Sequence, residues 1–177
     1  MKNLFIFSTA IALALLPATS LAFDIPVIQI FPSQIKLAAS KNRDNKNITV
    51  ESKDIAYSVK VTSSAFQELT DVTVKYNIFY QIVELGSKSD PDIKLSSGSH
   101  TIPRLLTNKP VEFETDPINL TKASLDPGWY FKNRASANAQ DKVVAVWFKA
   151  FDSTGKKIGE YPNPDSISTS TKLKWKD

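Results

Sequence analysis

The stretch "DVTVKYNIFYQIVE", residues 71–84, decides the fold. Val72, Val74, Tyr76, Ile78, Tyr80 and Ile82 recur at every second position, with Thr73, Lys75, Asn77 and Gln81 between them. A helix would spread those six side chains around its circumference, whereas an extended strand lines them along one face. The segment reads as a half-buried β-strand. Upstream, KDIAYSVKVTS (53–63) repeats the pattern, with Ile55, Tyr57, Val59 and Val61 set against Ser58, Lys60 and Thr62. Downstream, the Ser, Pro, Asp and Gly content of GSKSDPD (86–92) makes a turn. A weaker strand, IKLSSGSHTI (93–102), follows, and KPVEFETDPINL (109–120) alternates Val111, Phe113 and Thr115 with Glu112, Glu114 and Asp116.

KVVAVWFKAF (142–151) is apolar on both faces, with Val144, Val146, Phe148 and Ala150 on one and Val143, Ala145, Trp147 and Phe151 on the other. Such a run is a central strand with cover on both sides. DSTG (152–155) turns it into KKIGEYP, a hairpin. TKLKWK (171–176) alternates Leu173 and Trp175 with three lysines. It is expected to be an edge strand whose lysines oppose edge-to-edge pairing. Before all of these, FDIPVIQIFPSQIKL (23–37) carries Pro26 and Pro32, which forbid a long helix and suit an extended edge segment with one or two short strands. SKNRDNKN (40–47) reads as a solvated loop.

Seven to nine short strands and no helix predict an all-β chain folded as an immunoglobulin-like antiparallel β-sandwich, with a jelly roll as the alternative. The expected divisions are a signal peptide at 1–22, an extended N-terminal segment and loop at 23–47, and a single sandwich at 48–177. The signal reading rests on Lys2, the apolar run Leu4 to Leu16 and the small residues around Ala22. That run, about 13 residues, is short of the roughly 18 to 20 that span a bilayer, so no stable membrane insertion is expected after cleavage. The product is exported, to the periplasm, the cell surface or the medium. There are no cysteines, which excludes disulfides, thiolate metal sites and a cysteine nucleophile. The formal net charge of +4 comes from scattered residues, and nucleic acid is not an expected partner.

No catalytic set assembles from the sequence, so the chain is read as non-enzymatic, without cofactor or metal. The single histidine, His100, neighbours Ser97 and Ser99, yet Ser99 and His100 point to opposite faces of a strand and no nucleophile elbow is present. Asp90 and Asp92 flank Pro91 as ordinary turn carboxylates and lack a third ligand for calcium. Glu112 and Glu114 lie about 7 Å apart on one strand face, as solvent-facing residues do. Asn47 and Asn119 match the glycosylation acceptor pattern.

Two contact surfaces are candidates. The first is the surplus apolar face of 142–151, with Trp147, Val143, Ala145 and Phe151, read as an oligomer or protein-partner face. The second is LDPGWYFKNRASANAQDK (125–142), where Pro127 and Gly128 make a turn that presents Trp129, Tyr130 and Phe131. As a short strand, 129–131 would send Trp129 and Phe131 one way and Tyr130 the other. Exposed rings there would stack on sugars, so a glycan held by Trp129 and Tyr130 is the alternative partner.

The segments YSVKVTSS, VTVKYNIFYQI, TNKPVEFET, DPGWYF and DKVVAVWFKAFDSTGKKIGEYPNP resemble those of the small secreted immunoglobulin-like proteins encoded with type IV pilus assembly genes in gut-associated bacteria. The likeness covers most of residues 55 to 177 and lies in strand patterns. It implies a non-enzymatic extracytoplasmic sandwich, a homo-oligomer in small numbers, acting as an accessory of pilus assembly or of surface contact. It assigns no functional residues. A pilin would keep its apolar segment after cleavage, whereas here that segment precedes Ala22, so the likeness is to an accessory.

Overall fold

The computed structural model describes residues 27–44 and 47–176. The expected signal peptide and the first residues after it lie outside the described residues. Nine strands are present among the described residues: β1 (Ile28–Asp44), β2 (Ile48–Ser63), β3 (Leu69–Ile82), β4 (Asp92–Leu105), β5 (Val111–Glu114), β6 (Ile118–Leu125), β7 (Asn138–Gln140), β8 (Lys142–Phe151) and β9 (Lys157–Asn163). The helical content among the described residues is one 3-10 turn, Asp165–Thr169.

The strands form two antiparallel sheets. The first, sheet A, runs β1-β2-β6-β7, with β5 also on β2; the second, sheet B, runs β4-β3-β8-β9. β5 and β6 behave as one strand along the same edge of β2, broken at residues 115–117. Pro117 has no N–H to give to a ladder. Thr115 bridges the break, its N–H donating to the Tyr57 carbonyl at 3.0 Å and its Oγ1 accepting from the Tyr57 N–H at 2.9 Å. Placing β2 beside β6 in one sheet and β3 beside β8 in the other is the strand order of an immunoglobulin-like sandwich. A jelly roll sends successive strands to opposite sheets, but the β1–β2, β3–β4 and β8–β9 hairpins each stay within one.

The period-2 faces meet in the core. Ile55, Val59 and Val61 of sheet A pack against Val72, Val74, Ile78 and Phe148 of sheet B. Phe148 sits at the centre, with the rings of Tyr57, Tyr76 and Tyr161 at 6.4, 5.9 and 6.5 Å. Tyr76 also clips the sheets together: its hydroxyl donates to Asp116 Oδ2 and accepts from the Asp116 N–H, both at 3.0 Å. Its ring reaches there because residue 98 on β4 is glycine; a Cβ would lie 2.4 Å from the Tyr76 oxygen. At the other end Asp141 is a second clip, accepting from Val83 N–H and Thr121 N–H at 2.9 Å each.

Two segments differ from the sequence reading. Residues 28–44 are one continuous strand of the sandwich, paired with β2 throughout and bulged between Lys36 and Ala38. Pro32 is accommodated because, among the described residues, β1 is an edge strand paired on one side only. TKLKWK forms no strand. The chain after β9 instead crosses the outer face of sheet B, where Ile167, Leu173 and Trp175 pack on Phe79, Ala145 and Trp147. The Asn77 amide fastens it, donating to the Lys176 carbonyl at 3.0 Å.

Candidate functional site

The loop between β6 and β7 builds the exposed aromatic site. Its first residue is fixed by backbone and charge: Asp126 N–H donates to the Asn47 carbonyl at 2.9 Å, and the Asp126 carboxylate takes the Arg43 guanidinium and the Thr49 hydroxyl, the latter at 3.2 Å. Pro127 and Gly128 then turn the chain, closed by Trp129 N–H to the Asp126 carbonyl at 3.2 Å. Gly128 takes φ +91°, which glycine adopts without strain. Residues 129–131 are not a strand, so the expected alternation does not apply. Trp129 is 59% exposed and Tyr130 82%, while half-buried Phe131 turns back onto Gly86 in the β3–β4 loop.

That backward contact is close. A Cβ at Gly86, which has φ +80°, would lie 2.9 Å from the Phe131 ring. The Asn133 amide donates to the Gly86 carbonyl at 3.0 Å, and Arg134 N–H donates to the Phe131 carbonyl at 2.9 Å. The loop is therefore pinned to sheet A through Asp126 and to the end of sheet B through Phe131 and Asn133, and two rings project from it. Ile82 and Ile93, at the strand ends flanking the β3–β4 loop, are exposed at the same end of the sandwich.

The face expected to be open around Trp147 is closed. Trp147 is 6% exposed and Ala145 is buried beside it, both beneath the chain's own C-terminal segment. The Trp175 ring meets Trp147 edge-on at 5.4 Å. Lys149 Nζ lies between them, 4.4 Å from one ring centre and 4.2 Å from the other. The Trp147 indole N–H donates to Glu160 at 2.7 Å. Burial pushes the Glu160 carboxyl up, but the bonds from Lys157 and Trp147 and the Lys149 charge outweigh it and hold the group below the usual carboxylate range. Val143 does not share this face. A register shift opposite Phe79 and Tyr80 leaves Val144 unpaired, which turns Val143 to the main core and Val144 to the Trp147 side. Phe151 is half-buried, with Lys75 Nζ 5.6 Å from its ring. The four residues read as one partner face are thus divided between two cores and a covered flank.

The remaining candidates stay apart. His100 is exposed and lies flat on Phe113, ring centres 4.4 Å apart. Asp92 pairs with Lys94 at 2.6 Å and Asp90 is exposed. No group of three or more His, Cys, Asp or Glu side chains suited to a metal exists among the described residues. Glu112 and Glu114 are exposed. The Asn119 amide donates to Asp54 at 2.7 Å, and Asn47 is half-buried at the β1–β2 turn. No described helix is long and apolar enough to cross a membrane.

No family model matches the chain, and no curated protein matches it. Among solved structures, it is similar to the X-ray structure of Northeast Structural Genomics Consortium target SoR45, at 7% identity over 77% of this chain and 85% of that one, with a TM-score of 0.33. A likeness that faint bears neither on function nor on the strand order described above.

Proposed function

We propose that the chain is a non-enzymatic extracytoplasmic module that works by contact, and that its contact surface is the 126–137 loop. The observation that carries this is the pairing of exposure with fixation: Trp129 and Tyr130 stand out in solvent on a loop tied to both sheets. A loop backbone held in place before binding loses little conformational freedom on binding. Trp and Tyr are enriched among the few residues that carry most of the energy of typical contact sites. The signal sequence supports an exported setting, and the likeness to pilus-associated sandwich proteins supports an accessory role in pilus assembly or surface contact.

Carbohydrate is the partner that adjacent exposed rings on an anchored loop suit best, because a ring face stacks on the apolar face of a sugar. The test is titration of the protein with a panel of neutral oligosaccharides, followed by tryptophan fluorescence. Saturable quenching that disappears in Trp129→Ala supports the glycan reading. If no sugar binds, light scattering on the native protein and on Trp129→Ala/Tyr130→Ala decides whether this end joins copies of the chain. An unchanged mass together with no glycan response removes the loop as a contact surface.

A further inference from the structure

Beyond Ile55, the inward-facing rows of sheet A pass from apolar to charged. Lys36 lies opposite Ile55. In the next row Ala39, Lys53 and Leu120 lie side by side, and in the row after that Lys41, Glu51, Lys122 and Gln140. Residues two apart along each strand share a face, so lysines from three strands converge although they are far apart in sequence. Together they line a hollow of about 340 Å³. Small-molecule sites run from about 300 to 1,000 Å³.

The charges in this hollow do not balance. Lys36, Lys41, Lys53 and Lys122 face two carboxylates, Glu51 and Asp141. Glu51 is taken by Lys41 at 2.7 Å, and both Asp141 oxygens already accept backbone N–H groups. Lys36, Lys53 and Lys122 have no ion pair among the described residues. Like charges on neighbouring rows repel, and a bound anion would relieve that repulsion. A second hollow shares Lys41 and continues past Arg43 to Asp126 and Pro127, at the base of the Trp129 loop. The groove is therefore longer than an inorganic anion requires, its extension holding the neutral Lys41–Glu51 and Arg43–Asp126 pairs, and Gln140, on the same face as Lys122, places an amide beside the lysines.

We propose that this hollow is a second binding site, one that takes an acidic saccharide with its carboxylate or sulfate groups against Lys36, Lys53 and Lys122. It uses none of the aromatic residues of the loop and stands or falls separately from them. The test is calorimetric titration with an oligogalacturonate and, in parallel, a heparin hexasaccharide, at low and high salt. The variants are Lys53→Gln/Lys122→Gln, the remote control Lys60→Gln/Lys109→Gln, and Trp129→Ala, each checked for fold by circular dichroism. The double groove variant is expected to weaken binding about tenfold or more, equivalent to about 1.4 kcal/mol. The control and Trp129→Ala are expected to bind as the native protein does. Binding of the oligogalacturonate shows that carboxylates suffice, and binding of heparin, which carries both acids, without the oligogalacturonate assigns sulfate. The proposal is overturned if neither binds, if the control loses as much as the groove variant, if Trp129→Ala alone abolishes binding, or if inorganic sulfate binds as tightly as the oligosaccharides.

Discussion

Two tryptophan-bearing regions of this molecule look alike in sequence and end in opposite places. Around Trp147, a strand with apolar residues on both faces acquires a second cover from the chain's own C-terminal segment. Around Trp129, a turn carries its rings into solvent while its third aromatic, Phe131, anchors the loop. Surplus apolar surface on a regular strand can be covered by any later segment of suitable pattern. The rings of Trp129 and Tyr130, on a short loop pinned by its backbone, meet no such cover among the described residues. The exposed pair is accordingly the better indicator of a partner.

The largest expected contrast is between two alanine substitutions. Trp147→Ala should destabilise the protein by about 3–5 kcal/mol, as for buried aromatics generally. Trp129→Ala should cost less than about 0.5 kcal/mol, as at an unburied position. Urea unfolding followed by circular dichroism reads both, and equal costs would erase the distinction.

Removal of residues 164–177 turns the covered region into an open one. Loss of the Ile167, Leu173 and Trp175 contacts should cost about 2–3 kcal/mol. The bared Trp147 face should then drive self-association visible by light scattering. A truncated protein that stays monomeric and as stable as the whole would show that the segment covers nothing of consequence.

Much of the architecture was legible in the sequence and some of it was not, for identifiable reasons. The alternation of 71–84 and 53–63 specified strands and their core faces, and the doubly apolar 142–151 specified a strand covered on both sides. What covers it was not legible. Leu173 and Trp175 alternate with lysines whether the segment pairs at an edge or lies across a sheet, and only tertiary packing separates the two. The bulge that sends Val143 inward leaves no mark in the pattern. Pro32 marked an interruption, yet an edge strand tolerates it. Trp129 and Tyr130 were visible as candidates because the Pro-Gly turn precedes them, but their exposure depends on Phe131 reaching Gly86. The lysine hollow was invisible, since register rather than sequence proximity gathers residues 36, 41, 53 and 122.

A smaller effect probes the fixation of the exposed loop. Gly86→Ala must strain a φ of +80° and displace the Phe131 ring, which should cost about 1–2 kcal/mol. Backbone hydrogen exchange should rise at 126–137 more than elsewhere, and uniform change would argue against a tether at that point.

The smallest effect belongs to the covered region and depends on pH. The Glu160 carboxyl is held below its ordinary 4.5 in the folded chain, so its ionised form contributes stability that is complete above that value. The contribution is lost as pH falls through the folded-state pKa. The stability difference between the native protein and Glu160→Gln should therefore be under about 1 kcal/mol at neutral pH and shrink on acidification below 4.5. A difference that grows with acid would contradict the Lys157 and Trp147 contacts.

The most direct measurement of the contrast is solvent exchange of the three indole N–H protons by NMR, assigned with single Trp→Phe variants. Fast exchange at Trp129 and slow exchange at Trp147, whose N–H is bonded to Glu160 beneath the C-terminal cover, is the predicted result. Exchange at Trp147 as fast as at Trp129 would contradict it, and would return the partner surface to the outer face of the β3–β8 sheet.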